Sequence, residues 1–247
     1  MRIRVLTYNI HRAIGVDRRF RLDRIIKILS HYDADVALLQ EVDSGVPRSR
    51  RLDLASELAY ALNYTNFAAG HNVKLRRGRY GNATLSRFPI LMERNIDLTI
   101  GSRKRRGCLY TSIQVTLETD RTIPVEFFNL HLGLSFVERI QQIGILGRSI
   151  EFGSLNQNRP CIVGGDFNDW RNILSPILTD ILNFQCTTNQ KSGSLRAIRT
   201  YPSFSPQGPL DKIYYRGDIR MLSVHRCRMS ISKVASDHLP IIVDFEL

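Results

Sequence analysis

One stretch in the second half of the chain, Ile162-Val163-Gly164-Gly165-Asp166-Phe167-Asn168-Asp169, combines a strand-like run with polar side chains. Apolar residues up to Val163 predict a buried strand, and the two glycines predict its end. Side chains two positions apart on extended backbone point the same way, so Asp166 and Asn168 are expected side by side at the edge of a sheet. Open α/β sheets bind their ligands at such an edge. The alternative is an Asx-turn in which both residues only form the turn.

Other polar residues also come where a strand-like run stops. They are Asn9, Glu41, His131, Asp211, Asp237 and His238. Taken singly, each has a structural explanation as a turn, a strand end or a packed histidine. Taken together, the Asn, Glu and Asp oxygens suit a hard cation such as Mg²⁺, and two histidines with several carboxylates suit metal-assisted attack on a phosphodiester. The sequence has no Gly-x-Ser-x-Gly elbow, P-loop or Gly-x-Gly-x-x-Gly motif, which disfavours serine-triad and nucleotide-cofactor chemistry.

The charge balance favours a polyanionic partner. The chain has 35 Lys and Arg residues against 23 Asp and Glu residues, a formal net charge of +12. Such an excess suits nucleic acid or an anionic lipid surface, although a merely solubilising surface is the alternative. The clustering favours a binding role, because the basic residues concentrate in four predicted loops. These clusters are Arg18, Arg19 and Arg21; Arg48, Arg50 and Arg51; Lys74, Arg76, Arg77 and Arg79; and Arg103, Lys104, Arg105 and Arg106.

Periodicity predicts the elements that must position these residues. Apolar residues at helical spacing predict helices over 22–29 and 54–62, and a Ser135/Glu138 capping box predicts a third. The apolar residues expected along one face of that third helix are Phe136, Ile140, Ile143, Leu146 and Ile150. A shorter helix, interrupted by Pro176, is predicted over 173–182, and a loop over 190–209. Strand-like runs cover 3–10, 35–39, 65–69, 82–86, 90–98, 109–117, 123–130, 161–165, 212–215, 219–225 and 241–245.

This order predicts an α/β (α+β) protein in which two mixed β-sheets pack face to face with helices outside, a four-layer sandwich. We expect residues 1–247 to form a single domain and a monomer, since no linker interrupts the chain. No run is apolar enough to span a membrane, and a strand-like sequence follows Met1 at once, so no signal peptide is expected. With four scattered cysteines, these features favour a cytoplasmic protein with reduced thiols.

Seven short motifs occur in one order from Thr7 to Pro240. They are Thr7-Tyr8-Asn9, Leu39-Gln40-Glu41-Val42, Gly81-Asn82-Ala83 with Leu85-Ser86-Arg87-Phe88-Pro89, Asn129-Leu130-His131, Gly165-Asp166-Phe167-Asn168, Leu210-Asp211, and Ser236-Asp237-His238-Leu239-Pro240. This order resembles the endonuclease/exonuclease/phosphatase superfamily, which has the deoxyribonuclease-I-like fold. The resemblance covers nearly the whole chain and implies a metal-dependent phosphoric ester hydrolase. It specifies the superfamily far better than the substrate.

The resemblance implies a role for each matched residue. Glu41 would be the principal Mg²⁺ ligand, with Asn9 close by and Asp237 completing the shell; Mn²⁺ could substitute. Asp166 would orient or deprotonate the attacking water, and Asn168 would hold that water or a phosphoryl oxygen. His238, oriented by Asp211, would contact the scissile phosphate, and His131 would stabilise developing charge or assist the leaving group. Asp166 and His238 both remain candidates for the general base.

Two departures bear on the substrate. Exonuclease-III-type repair nucleases carry a tyrosine-containing motif where this chain has Asn129-Leu130-His131, and an acidic residue where it has His11. These differences disfavour abasic-site repair. A histidine at position 131 fits the pancreatic-type deoxyribonuclease, sphingomyelinase and inositol-phosphatase branches equally well.

The leading hypothesis is therefore a Mg²⁺-dependent phosphodiesterase that acts on nucleic acid, most favourably as a DNA endonuclease. The residues expected to bind substrate are Asn82, Arg18, Arg19, Arg51, Arg77 and Arg105. A phospholipid or inositol-phosphate phosphoesterase at an anionic lipid surface is the second hypothesis. A non-catalytic nucleic-acid-binding module is the third, and it is disfavoured because Glu41, Asp166 and His238 are all present.

Overall fold

The structure is a computed structural model that describes residues 1–188 and 197–247. Its strands are β1 (Arg2–Asn9), β2 (Val36–Ser44), β3 (Asn66–Lys74), β4 (Arg79–Ser86), β5 (Ile90–Asp97), β6 (Gly107–Thr116), β7 (Thr122–His131), β8 (Cys161–Asp166), β9 (Gln185–Cys186), β10 (Asp211–Arg216), β11 (Arg220–Arg226) and β12 (Ile241–Glu246). Its α-helices are α1 (Leu22–Tyr32), α2 (Leu54–Ala61), α3 (Phe136–Arg148), α4 (Ile150–Gly153) and α5 (Ser232–Ala235).

The strands form two six-stranded sheets. The first sheet has the order β11-β12-β1-β2-β4-β3, and the second has the order β5-β6-β7-β8-β10-β9. The pairs β1–β2 and β7–β8 are parallel, whereas the remaining neighbours are antiparallel, so both sheets are mixed. The predicted fold class of two mixed sheets flanked by helices is confirmed.

Alternation along the strands explains the layers. In β1, Ile3 and Val5 belong to the apolar cluster between the sheets, whereas Leu6 and Tyr8 point to the outer face. The same period of two in β8 places Ile162 between the sheets and Val163 outside. Helices α1 and α2 cover the outer face of the first sheet, and α3 and α4 cover that of the second. Every central strand is therefore buried on both faces, which explains the continuous apolar runs in the sequence.

A buried set of three amide side chains, here the amide clamp, joins the two sheets beside their loop-bearing edge. Gln40 Nε2 on β2 donates to Asn129 Oδ1 on β7 at 2.8 Å. Asn129 Nδ2 donates back to the carbonyls of Leu39 and Ala83 at 3.1 and 2.9 Å. Asn82 Nδ2 on β4 donates to the carbonyl of Asn129 at 3.0 Å. These bonds fix the relative position of the sheets where their polar strand ends meet.

The predictions for α3 were partly wrong. Ser135 stands at the N-cap but its side chain caps no backbone N–H, and the Glu138 carboxylate instead accepts from Gln142 and faces Arg103. The helix ends at Arg148, and Ile150 begins α4 with a 75% exposed side chain. Phe136 and Ile140 are also exposed. The buried side of α3 carries polar residues because Arg139 and Gln142 bind backbone groups of the loop that follows β7, and Gln142 also donates to Glu138.

Two further segments differ from the sequence prediction. In place of a helix over 173–182, the structure has a short π-helical turn at Ile177–Ile181. The loop predicted over 190–209 falls partly outside the described residues, which resume at position 197. Among the described ranges, no helix combines the length and apolar character needed to cross a bilayer.

Candidate active site

The predicted polar residues converge because both parallel strand pairs end at one edge of the sandwich. In the first sheet, Asn9 at the end of β1 pairs with Gln40, which Glu41 follows. In the second sheet, His131 at the end of β7 pairs with Asp166 at the end of β8. Strand β10 runs in the opposite direction and begins at Asp211, directly opposite Asp166. The facing sheets therefore bring together residues from five segments.

Asp166 lies at the centre of this cluster and is almost fully buried. Its Oδ2 atom accepts a hydrogen bond from Asn9 Nδ2 across the two sheets at 3.1 Å. The Nε2 atoms of His131 and His238 lie 3.5 and 3.7 Å from the same oxygen. The preceding residue must be glycine, because Gly165 has φ +143° and a Cβ there would meet the carbonyl oxygen of Leu130 at 1.9 Å. The close packing of β8 against β7 thus holds Asp166 between the two imidazoles.

The sequence predicted that Asn168 lies beside Asp166 on extended backbone, and this prediction was wrong. The strand ends at Asp166, and Asn168 adopts a left-handed conformation with φ +51°. Its backbone N–H donates to Asp166 Oδ1 at 3.0 Å, which is the Asx-turn that was the alternative prediction. Its side-chain Nδ2 donates to the carbonyl of Leu132 at 2.9 Å. Asn168 therefore fixes the Asp166 carboxylate and joins the loops after β7 and β8.

His238 forms a buried pair with Asp211. His238 Nδ1 lies 2.8 Å from Asp211 Oδ2, and that oxygen also accepts from Thr200 Oγ1 at 2.5 Å. Burial lowers the pKa of His238, but the carboxylates of Asp211 and Asp166 outweigh it and raise that pKa to about 10. His238 is therefore cationic at neutral pH, and its Nε2 atom faces Asp166.

The pKa values of the other two titratable groups of the cluster, His131 and Asp166, shift in the direction that burial favours, whereas the pKa of His238 shifts against it. Burial lowers the pKa of His131 well below its usual 6.5, and the charges of Arg106, His238 and Lys104 lower it further. Burial also raises the pKa of the Asp166 carboxyl to about 6, an effect that His238 opposes and Asp211 reinforces. The site therefore combines a cationic imidazole, a neutral imidazole and a carboxylate that is ionised at neutral pH.

Glu41 lies within β2 rather than after it, which corrects the sequence prediction. The strand continues to Ser44 through an irregularity in its pairing with β4 between Leu39 and Val42. Glu41 adopts φ +55° at this bulge, so its side chain is turned out of the regular alternation. Its Oε2 atom lies 3.1 Å from Arg12 Nε but accepts no hydrogen bond from the described residues.

The oxygen-bearing residues fit a divalent cation. Glu41 offers a largely buried carboxylate oxygen without a hydrogen-bond donor, and an unsatisfied buried carboxylate is what a hard cation requires. Asn9 Oδ1 accepts only the N–H of His11, at 3.0 Å, among the described donors. Asp237 lies beside Ser236, whose hydroxyl donates to the carbonyl of Asn9 at 2.7 Å. Asp166, Asp211 and His238 also cluster closely enough to ligate an ion, although Asp211 already binds His238.

The basic clusters form a continuous surface that we call the basic rim. It comprises Arg18, Arg19 and Arg21; Arg48, Arg50 and Arg51; Lys74, Arg76, Arg77 and Arg79; and Arg103, Lys104 and Arg105. Two aromatic rings connect these loops: the Arg50 guanidinium lies over Phe20, and Arg48 and Lys104 both lie over Tyr80. Arg105 lines a small cleft of about 10 Å³ together with Asn82 and His131, so the rim reaches the site.

Three of the predicted basic-cluster residues, and the predicted substrate-binding residue Asn82, are placed differently. Lys74 and Arg79 end β3 and begin β4, so only the turn between them is a loop. Arg106 is buried and is not part of the rim. Asn82 is also buried, and its amide nitrogen is engaged by the carbonyls of Gly107 and Asn129. Arg18, Arg19, Arg51, Arg77 and Arg105 are exposed.

Sequence reasoning missed several residues around the site. Arg12 approaches Glu41, Thr200 donates to Asp211, and the ring of Tyr201 lies 5.0 Å from that of His238. Gln40 and Asn129 complete the amide clamp. Their sequence signal is weak, because Arg12, Thr200 and Tyr201 lie in predicted loops and the partners of Gln40 and Asn129 are distant along the chain.

Comparison with known proteins identifies the family of this chain. Residues 6–238 match the Endonuclease/Exonuclease/phosphatase family. The chain belongs to that family. Its members are phosphoesterase hydrolases that generally use a divalent metal. The resemblance predicted from the seven motifs is thus confirmed.

Relatives and solved structures extend the comparison. The chain is 30% identical over 252 residues to "Uncharacterized protein YbhP" of Escherichia coli strain K12, covering 99% of this chain and 96% of that protein. An endonuclease/exonuclease/phosphatase structure from Beutenbergia cavernae superposes with a TM-score of 0.80 at 21% identity, covering 100% of this chain and 72% of that one. The human Nocturnin catalytic domain superposes with a TM-score of 0.76 at 22% identity, covering 99% of this chain and 94% of that one. The structural likenesses show the shared fold.

Proposed function

We propose that this protein is a Mg²⁺-dependent phosphodiesterase that hydrolyses nucleic acid, with DNA as the favoured substrate and cleavage within the strand. The observation that supports this most strongly is the position of Asp166 between His131 and His238, at 3.5 and 3.7 Å from the two Nε2 atoms. A carboxylate between a neutral and a cationic imidazole offers a proton acceptor and two groups that can stabilise charge on a phosphoryl oxygen.

In this proposal Asp166 accepts the proton of the attacking water. His238 is disfavoured as the base because its pKa is raised to about 10, so it carries a proton at neutral pH. It instead contacts the scissile phosphate, and Asp211 positions it through the 2.8 Å contact with Nδ1. His131 stabilises charge that develops at phosphorus or assists the leaving group. Since pentavalent phosphorus gathers negative charge, these groups bind the transition state better than the substrate.

Glu41, Asn9 and Asp237 would hold the metal ion. When bound, Mg²⁺ supplies Lewis-acid polarisation of a phosphoryl oxygen. Arg12 and Ser236 contact two of these segments and also contribute to the proposed metal site. Arg12 lies 3.1 Å from Glu41 and neutralises part of its charge, and Ser236 ties the segment that carries Asp237 to the end of β1.

The basic rim supports a polyanionic substrate. Its arginines come from four loops, and Phe20 and Tyr80 join them into one surface. The turn between β3 and β4 packs directly on the segment after β2, since a Cβ at Gly78 would meet Gly45 and Ser44 at 2.6 Å. A surface that presents guanidinium groups over several loops suits successive backbone phosphates better than one isolated phosphate.

One observation favours a phospholipid or inositol-phosphate substrate as a second candidate. Leu134 and Val137 follow His131 closely and are 76% and 58% exposed. Apolar side chains beside an active site, together with a basic rim, also suit an anionic lipid surface.

An activity panel separates the candidates. The purified chain is incubated with supercoiled plasmid, RNA, sphingomyelin vesicles and inositol phosphates, each with Mg²⁺ and with a chelator. The proposal expects nicked or linear plasmid that disappears with chelator. Release of phosphocholine or inorganic phosphate with intact plasmid would favour the second candidate. Plasmid that stays supercoiled at high protein concentration would refute the DNA endonuclease.

A further inference from the structure

Trp170 is a half-exposed aromatic residue next to the site. It is the single tryptophan of the chain and follows Asp166 by four positions. Its side chain is 50% exposed although burying an indole would remove a large apolar area from water. One side of the indole packs on the backbone of Gly208, because a Cβ at that glycine would approach ring atom Cε3 to 2.8 Å.

Neighbouring groups fix the orientation of this indole. Its ring meets that of Tyr201 edge to face, with centroids 5.6 Å apart and planes at 86°. Asp169, the preceding residue, accepts the N–H groups of Ile173 and Leu174 at 3.1 and 2.9 Å and lies 3.4 Å from the buried Lys212 ammonium. The backbone at Trp170 is thereby anchored, and the exposed ring area is presented in a defined direction.

Tyr201 connects Trp170 to the candidate catalytic groups. The Tyr201 ring lies 5.0 Å from the His238 ring, so Trp170 lies one aromatic ring away from the imidazole assigned to the phosphate. The loops that carry Trp170 and Tyr201 are distinct from the four loops of the basic rim. The site therefore has charged groups for a phosphodiester backbone and, separately, an exposed aromatic face.

We propose that Trp170, supported by Gly208 and Tyr201, stacks on a nucleobase next to the scissile phosphate. This inference rests on the proposed nucleic-acid function and adds a subsite to it. Every nucleobase has a π-face, so such a contact binds single-stranded or locally unpaired nucleic acid without strong sequence preference. The basic rim then contacts phosphates, and Trp170 contacts a base.

The single tryptophan gives a direct binding signal. A short single-stranded oligonucleotide is titrated, with Mg²⁺, into the Asp166→Asn variant, in which cleavage is slow, while tryptophan fluorescence is recorded. The matched probe is a base-free strand of the same length and charge. Stacking predicts saturable quenching by the oligonucleotide and little change with the base-free strand. Equal signals from both strands would overturn the inference.

Kinetics test the same contact without fluorescence. The ratio of kcat/KM for the base-bearing strand to that for the base-free strand is compared in the wild type, Trp170→Leu, Trp170→Phe and Tyr60→Leu. Loss of one stacked base lowers this ratio by roughly 5- to 150-fold in Trp170→Leu, while Trp170→Phe keeps most of it. Tyr60, which is 87% exposed on α2, serves as the control aromatic residue, and its variant keeps the wild-type ratio.

Failure of the inference differs from failure of the proposed function. If the wild type cleaves both strands and Trp170→Leu retains the wild-type ratio, stacking is wrong and the nuclease activity stands. If the wild type cleaves and binds neither strand, the proposed function fails and the stacking proposal fails with it. A blue-shifted tryptophan signal with anionic phospholipid vesicles, and none with oligonucleotides, would overturn the inference in favour of a membrane contact.

Discussion

The pair formed by Asp211 and His238 offers the sharpest single perturbation of the site. The substitution Asp211→Asn keeps the size of the side chain and removes its charge. His238 Nδ1 then faces a neutral amide oxygen in place of the carboxylate that lies 2.8 Å away. Because Asp211 is a positioning residue in the proposed mechanism, we expect kcat to fall while KM changes little.

The burial of the Asp211–His238 contact sets the expected size of the fall in kcat. Both side chains are nearly fully buried, so the contact is a charge-assisted hydrogen bond shielded from water. Such bonds contribute about 1.5–3 kcal/mol. If that energy is lost in the transition state, kcat falls by roughly 10- to 150-fold.

The same substitution also affects stability. Asp211 Oδ1 is buried and accepts no hydrogen bond from the described residues, so an amide nitrogen placed there would lack an acceptor. An unsatisfied buried donor costs about 1–3 kcal/mol. The melting temperature of Asp211→Asn should therefore fall, and activity must be measured well below it.

Steady-state kinetics on the best substrate of the panel provide the assay, with Asp244→Asn as the matched control. Asp244 is a buried carboxylate on β12 that pairs with Arg4, toward the opposite end of β1 from Asn9. Its replacement should lower stability and leave kcat unchanged. If Asp211→Asn loses stability but keeps kcat within about twofold of the wild type, the positioning role is refuted.

Three further predictions concern stability and binding. Asn129→Ala should lower the free energy of unfolding by about 2–5 kcal/mol in urea titrations, because it removes one acceptor of Gln40 Nε2 and the side-chain donor to the carbonyls of Leu39 and Ala83. A loss no larger than that of the exposed control Asn158→Ala would contradict the amide clamp. Burial raises the pKa of Asp244, but hydrogen bonds from Arg4, Arg2 and Ser223 outweigh it and depress that pKa well below 3.8. The stability difference between the wild type and Asp244→Asn should therefore be complete above that ordinary value and shrink as the pH falls below it, whereas a difference that stays constant on acidification would exclude the depressed pKa. Finally, if three or more rim residues contact phosphates, log K for DNA binding should fall with log salt at a slope steeper than about −2, and a flat response would argue against the basic rim as the binding surface.

Much of the architecture follows from local sequence patterns. The apolar run before Asp166 predicts a buried strand, as β8 is, although β8 continues through both glycines to Asp166 and does not end at them. The polar residues after these runs are brought to one edge because parallel neighbours end together. The grouping of these polar residues at one edge depends on strand direction, so it can be predicted from the order of the strand-like runs and the polar residues after them.

Other parts depend on contacts between distant segments. Glu41 reaches its position through a bulge in β2, which the pairing with β4 imposes and which the run at 35–39 does not reveal. The buried side of α3 carries Arg139 and Gln142 because the loop after β7 supplies their partners, and Glu138 contacts Gln142 and Arg103. Trp170 and Tyr201 lie about 30 positions apart and become neighbours only through the loop before β10. Hydrophobic periodicity is a local pattern and does not predict contacts between such distant residues.

The central claim is that remote segments assemble one phosphodiester-hydrolysing centre around Asp166. The most direct test is the turnover of Asp166→Asn and His238→Ala on the substrate that the panel identifies, with circular dichroism to confirm the fold. We predict that each folded variant loses roughly two orders of magnitude or more in kcat. Wild-type turnover in both folded variants would contradict the account.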